Sequence, residues 1–451
     1  MAIFGKYDML DEGYIKMPRL KKEEEKRLKQ SVIDTVLNRN RSMDQKEFKI
    51  EELVRQTGLS KQFIYHHFSG KEGVLLATAE QLYEKIFWAI ACGGDRLISD
   101  PSDAEYLRDK EVLILVNRAG SLFYEHTVSQ LLRSRMHAGE MEGLLHQLYQ
   151  ERLSRFKIES VRYSARQLAY FHRYVVLGAG LCISHDGEFP HDSVEQLAKS
   201  YRKLEAAYWK ELVNESEEQT GIRPNKSELK KMTEQFQIRR KDNKIRQSIR
   251  SAVRILGKEQ SAETITVEQI SRKTGLNVNT IYMEYASKGD IMDDMAVSIW
   301  TSVLQHTARI WIKKNSLKKK IGEQFKATVR ILQMWGGGLS SQILTNDSNF
   351  CRNTKYLCRN LGHLAGVSHI DESKMNLPEI RMLAYAAWSI WIGCCITVAG
   401  DRNFHRSRLE CYGQFAAALG LACVHILQHE VTRIQTSAQP KGILKLENGE
   451  K

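Results

Sequence analysis

Three side-chain amides and two lysines stand where they could read and hold a nucleic acid. Gln62, Asn277 and Asn279 each carry the donor–acceptor pair that matches an adenine edge. Lys71 and Lys288 sit at the starts of long helical patterns, where an ammonium adds to the free N–H groups that attract phosphate. Competing chemistries lack their residues. The chain has no HExxH, no GxSxG and no GxGxxG opening a βαβ unit, and Gly70-Lys71 lacks the earlier glycine of a phosphate loop. The eight cysteines form no CxxC pair and no zinc-ligand spacing with histidine. We therefore expect no metal, no cofactor and no enzymatic activity.

The elements that position these residues occur twice. Gln30–Lys71 recurs without a gap, 217 residues later, as Gln247–Lys288. Thr57-Gly58-Leu59 falls on Thr274-Gly275-Leu276, Ile64-Tyr65 on Ile281-Tyr282, and Phe68 on Tyr285. A period of this length is too long for a stacked solenoid and implies a duplicated protein. In the second copy Thr266-Val-Glu-Gln269 reads as a capping box that opens a short helix, and Gly275 ends it in a left-handed conformation. Asn277 caps the next helix, Leu276 turns inward, and Ile281 and Tyr285 fall on the buried side. Ser287 with Asp290 then caps a long helix. The first copy repeats the plan through Gly58, Leu59, the cap Ser60, buried Ile64 and Phe68, and an expected capping box Ser69–Glu72. Lys49 replaces the capping threonine, which weakens that copy's opening cap. Two short helices joined by a glycine turn, the second polar on its outer side, form a helix-turn-helix. In such a motif the second helix enters the DNA major groove.

Composition and charge agree with that reading. With six prolines in 451 residues and long 3–4 periodicities, the expected class is all-α. The formal net charge is +13. Residues 19–72 carry 13 Lys/Arg against 9 Asp/Glu, and residues 226–290 carry 14 against 8, so +10 of the net +13 surrounds the repeat. A basic footprint so placed fits a polyanionic partner. Most cysteines lie in apolar helical stretches as small buried hydrophobes, and the protein is read as reduced, cytosolic and nucleoid-associated. Met382–Gly400 has no charge over 19 residues and is tested as a membrane span. The sequence argues against one. Arg166-Gln-Leu-Ala-Tyr170 matches Arg381-Met-Leu-Ala-Tyr385, Gly178 matches Gly393, and the first version carries His172 and Arg173 in mid-span.

At residues 58–72, Gly-Leu-Ser-Lys-Gln-Phe-Ile-Tyr-His-His-Phe-Ser-Gly-Lys-Glu resembles the signature of the TetR/AcrR (tetracycline-repressor) family of bacterial transcription regulators. Residues 275–288 resemble it more loosely. The resemblance implies a three-helix DNA-binding domain followed by a helical domain that binds a small ligand and dimerises. It implies that Ser60, Lys61, Gln62 and His66 face DNA from the first recognition helix, and Asn277, Asn279 and Thr280 from the second. It implies backbone phosphate contacts for Tyr65, Tyr282, Lys71 and Lys288. Glu284, where the first copy has His67, would repel phosphate unless it accepts a bond from a cytosine amino group.

The expected organisation is an arm over 1–18, a first helix-turn-helix domain over 19–90 and a first helical regulatory domain over 91–213. A linker over 214–235 follows, then a second helix-turn-helix domain over 236–305, a second regulatory domain over 306–436 and a polar tail over 437–451. Phe123, Tyr124, Trp311, Trp335 and Tyr356 are candidates to line an effector pocket, with ordinary core as the alternative. The apolar helices near 382–399 and 415–434, with counterparts near 167–184 and 197–212, are the candidate pairing surfaces. The expected partners are double-stranded DNA, a small-molecule effector and the other half of the same chain, with no membrane. A homodimer carrying four readers is the alternative assembly. The alternative function is a protein-interaction or antirepressor protein whose motifs no longer bind DNA.

Overall fold

The computed structural model describes residues 22–39, 49–78, 80–81, 194–213, 243–260, 262, 264–313, 315–337, 339–340, 378–401 and 404–437, with parts of 146–178. Every regular element among them is helical, so the protein is all-α. The 1–18 arm, the 214–235 linker, the tail beyond Ser437, and Phe123, Tyr124 and Tyr356 lie outside the described residues. The chain divides into two compact units, residues 1–81 and 82–451.

In the first unit, α1 (Lys22–Arg39) opens on Glu23, Glu24 and Glu25, which oppose the positive end of the helix dipole. α2 (Ile50–Thr57) ends at Gly58, whose φ of 70° is the left-handed region that glycine enters without a Cβ clash. Lys49 makes no side-chain cap at its start, as its chemistry requires. α3 (Lys61–Phe68) follows, capped by the Ser60 side chain, which accepts from the Phe63 N–H at 3.1 Å. A further helical stretch covers 71–78. Val32, Val36, Leu53, Ile64 and Val74 bury one face of each helix, and none is more than 1% exposed.

The second unit contains α4 (Val194–Val213), α5 (Lys244–Leu256), α6 (Val267–Thr274), α7 (Val278–Glu284), α8 (Lys288–Ile312), α9 (Leu317–Met334), α10 (Pro378–Gly400) and α11 (Leu409–Ser437). Helices α5 to α8 repeat the plan of the first unit. Ile249, Val253, Ile270, Ile281 and Ile291 are again at most 1% exposed, each 217 residues after a member of the first set. Gly275 has φ 72°, and both expected capping boxes form, Thr266 with Gln269 and Ser287 with Asp290. Leu59 and Leu276 turn in only halfway.

One expected cap is corrected. Ser69 does not open a helix but sits at φ 59°, where its N–H bonds to the Tyr65 carbonyl at 3.0 Å and closes α3. The repeat register supplies the reason. Ser287 aligns with Gly70, and it is the Gly70 carbonyl that receives the Val74 N–H at 3.1 Å.

Helices from both halves of the sequence build one core within the second unit. Phe171 has its ring 5.7 Å from that of Tyr412, 5.4 Å from Phe415 and 6.4 Å from Phe325. The Tyr174 hydroxyl donates to Asp401 at 2.6 Å. α4 lies along α11, joined by Lys203 to Glu430 at 2.9 Å and by His425 to Glu211 at 2.7 Å. Gly178 and Gly393 meet backbone to backbone, so a Cβ on Gly393 would fall 2.3 Å from the Gly178 carbonyl carbon. The tested stretch 382–400 falls in α10, whose described side chains are largely buried. Residues 406–430 are also long and apolar enough to cross a membrane, and 67% of that window is buried in the core. Burial explains both apolar runs without lipid.

Gly393→Ala forces a methyl into this crossing. We expect a loss of about 1–3 kcal/mol, read as a lowered urea midpoint with an unchanged slope.

Candidate nucleic-acid interface

The buried isoleucine of each recognition helix fixes which side faces outward. In α3, Ile64 is fully buried, Phe63 and Phe68 flank it, and Ser60, Lys61, Gln62, Tyr65 and His66 are exposed. In α7, Ile281 is fully buried, while Asn277, Asn279, Tyr282 and Met283 are exposed. Lys71 and Lys288 are half-buried at the first turn of the helices that follow. Tyr65 rests its ring on Gly70, where a Cβ would meet ring atom Cε1 at 3.2 Å.

The fold gives several of the expected site residues contacts of their own. Asn277 uses its side-chain carbonyl as a cap, accepting from the Asn279 N–H at 3.0 Å. Lys61 pairs with Glu51 on α2 at 2.7 Å. The pair is exposed and therefore weak, so phosphate can compete for the ammonium. Thr280 occupies the position of buried Phe63 and is itself half-buried at the helix flank. Trp311 and Trp335 are set apart along α9. Trp311 is buried and donates to Gln324 on α9 at 2.8 Å, with the Lys320 ammonium 5.7 Å from its ring. Trp335 caps the far end of α9, about 16 Å along the axis from Gln324.

Glu284 also has a different task from either that the sequence suggested. Its carboxylate accepts from Arg246 at 2.8 Å and from Asn243 at 2.8 Å, while Arg246 also donates to the Glu284 carbonyl at 2.6 Å. These bonds tie the end of α7 to the start of α5 and turn the charge away from the outer face. Arg246, then Asn243, hold the carboxyl below its ordinary 4.5. At the same position in the first unit, the His67 ring lies 3.4 Å from Glu25, which Lys29 holds at 2.6 Å. Partial burial and then Lys29 lower the His67 pKa from 6.5, keeping that ring neutral near pH 7.

Sequence reasoning missed a second polar cluster. Asp294 is 2% exposed, accepts from Arg250 at 2.8 Å and also receives the Tyr285 hydroxyl. Burial, followed by the Asp294 bond, pushes the Tyr285 phenol well above its usual value. The first unit has Ile33, Phe68 and Ala77 at these three positions. Only the 217-residue register could have shown that three apolar positions become polar together.

Burial likewise disposes of the thiols among the described residues. It pushes Cys411 up to about 11 and Cys423 up to about 12, and raises Cys394 and Cys395 well above the ordinary thiol value. Thiols so protonated are poor nucleophiles.

With two such motifs described, one comparison bears on them. Residues 46–78 match the family profile of the bacterial regulatory proteins, tetR family. The match spans α2, the glycine turn, α3 and the helical stretch behind it, the part of the first unit that carries the exposed Ser60–His66 face. This tetR-type segment marks a DNA-binding transcription regulator. No curated protein matches the chain.

Two outcomes are expected. Asp294→Ala removes the buried acceptor that Arg250 and Tyr285 share and costs about 3–5 kcal/mol in chemical denaturation. Combining Arg250→Ile, Tyr285→Phe and Asp294→Ala, the residues of the first unit, recovers most of that loss. Separately, the folded pKa of Glu284 lies below its unfolded value, so its tether stabilises above about pH 4.5 and is lost as pH falls through the folded pKa. Glu284→Gln should therefore cost about 1 kcal/mol near pH 7, with the difference from wild type disappearing in thermal melts as pH falls through the folded pKa.

Proposed function

We propose that the protein is a sequence-specific transcriptional regulator that places two non-identical readers on one asymmetric operator. The observation that carries this reading is the contrast inside the repeat. Five buried positions are interchangeable between the two motifs, whereas the outward residues of α3 and α7 differ at nearly every position. A symmetric repressor reads a palindrome because its readers are identical. Here Gln62 and His66 stand where the second motif has Asn279 and Met283.

The proposed assembly is a pseudo-dimer within one chain, descended from a tandem duplication. Its support is the core shared by helices of both halves, closed by Gly178 against Gly393, the two glycines that also match in sequence. This surface would pair two chains in an ordinary dimer, and here it is occupied from within. On this reading the half-sites lie about one DNA turn apart, ~34–36 Å. Release by a small hydrophobic ligand, and hence repression, rests on the family likeness of the first unit.

Selection of binding sites from a random DNA pool tests the proposal. The expected result is an asymmetric consensus whose affinity falls steeply with salt, and Lys71→Ala should lower the salt slope by about one. A perfect inverted repeat would overturn the two-reader assignment. No salt-dependent binding at all would favour an interaction or antirepressor protein.

A further inference from the structure

The exposed face of α7 carries a residue with a task of its own. At 100° per residue, the side chain two positions after Ile281 lies about 160° away around the helix, almost opposite the core. That residue is Met283, 87% exposed, the most exposed large apolar side chain among the described residues. Asn279 lies one turn earlier, about 40° around, so the two project side by side. α7 contains no lysine or arginine, and its one acidic side chain, Glu284, is drawn back by Arg246 and Asn243. The outermost ridge of the second reader is thus one amide followed by one unpaired thioether. In the first reader the same two positions hold Gln62 and His66.

A methionine at the crest of a surface helix offers apolar area to whatever docks on that face. In the major groove the apolar feature on a base edge is the C5-methyl of thymine. Methionine is flexible and polarisable, and it conforms to a methyl group without a fixed hydrogen-bond geometry. We propose that Met283 is a specificity-determining residue that reads thymine C5-methyl groups, beside an adenine read by Asn279. The second half-site is then rich in A·T pairs, and the first, facing Gln62 and His66, need not be. The assignment rests on the DNA-reading function proposed above.

The test is to replace thymine with deoxyuridine in a selected operator, one half-site at a time, which removes the methyl and leaves the pairing edges intact. Wild type should lose about fourfold affinity for each contacted methyl removed from the second half-site. Met283→Ala should bind the thymine operator about as weakly as wild type binds its deoxyuridine form, and should be indifferent to the exchange. Met283→Leu should keep most of the sensitivity, and so should His66→Ala, whose change lies in the other reader. The exposure of Met283 makes it a mild substitution for folding. Salt-dependent binding by wild type with equal affinity for both operators would overturn the methyl reading and leave the DNA-reading function standing. Absence of salt-dependent binding would overturn both.

Discussion

Ile64 and Ile281 are each completely buried, and the rest of the two motifs depends on that burial. A recognition helix of seven or eight residues makes too few hydrogen bonds to be stable alone. It exists because one branched side chain is driven out of water, as are Val32, Val36 and Leu53 on the preceding helices of one unit and Ile249, Val253 and Ile270 on those of the other. Seating that side chain also fixes the rotation of the helix about its axis. Once the rotation is fixed, the residues two positions either side of the isoleucine must face away from the core.

Around this constant frame the polar interactions have been redistributed. Both units tie the last turn of the recognition helix back to the first helix of the motif, but with different charges. His67 faces Glu25 and Lys29 in one, and Glu284 faces Arg246 and Asn243 in the other. Deeper in, an apolar set of Ile33, Phe68 and Ala77 is replaced by Arg250, Tyr285 and Asp294. A buried charge is tolerable only with its partners, so such a change must involve all three residues. The two motifs thus share one geometry with different interiors and different outer faces.

The halves of the sequence meet most closely where side chains are smallest. Gly178 against Gly393 lets two backbones touch, and the rings of Phe171, Tyr174, Tyr412 and Phe415 fill the space alongside. Such contact needs no polar group and leaves no room for a methyl. The apolar run of α10 is accounted for by this environment. Its cysteines, Cys394 and Cys395, are packing groups with raised pKa values.

The sequence alone determined the elements and their ends. Glycines at 58 and 275, the Thr266–Gln269 box and the caps Ser60, Asn277 and Ser287 act over three or four residues, so their outcome is written locally. The buried isoleucines were legible for the same reason, through helical period. Partners distant in sequence were not. Glu284 looked like a reader or a repulsive charge because its partner Arg246 lies 38 residues away. Asp294 finds Arg250 across 44 residues, and Trp311, core or pocket lining by sequence, donates to Gln324 on α9. Ser69 failed as a cap because helix entry depends on the turn before it, not on the motif alone. Periodicity names the residues that leave the core, but only the folded neighbours decide which of them remain available. Met283 and Asn279 face outward with no core to join, whereas Glu284, one residue further, is drawn back by charge.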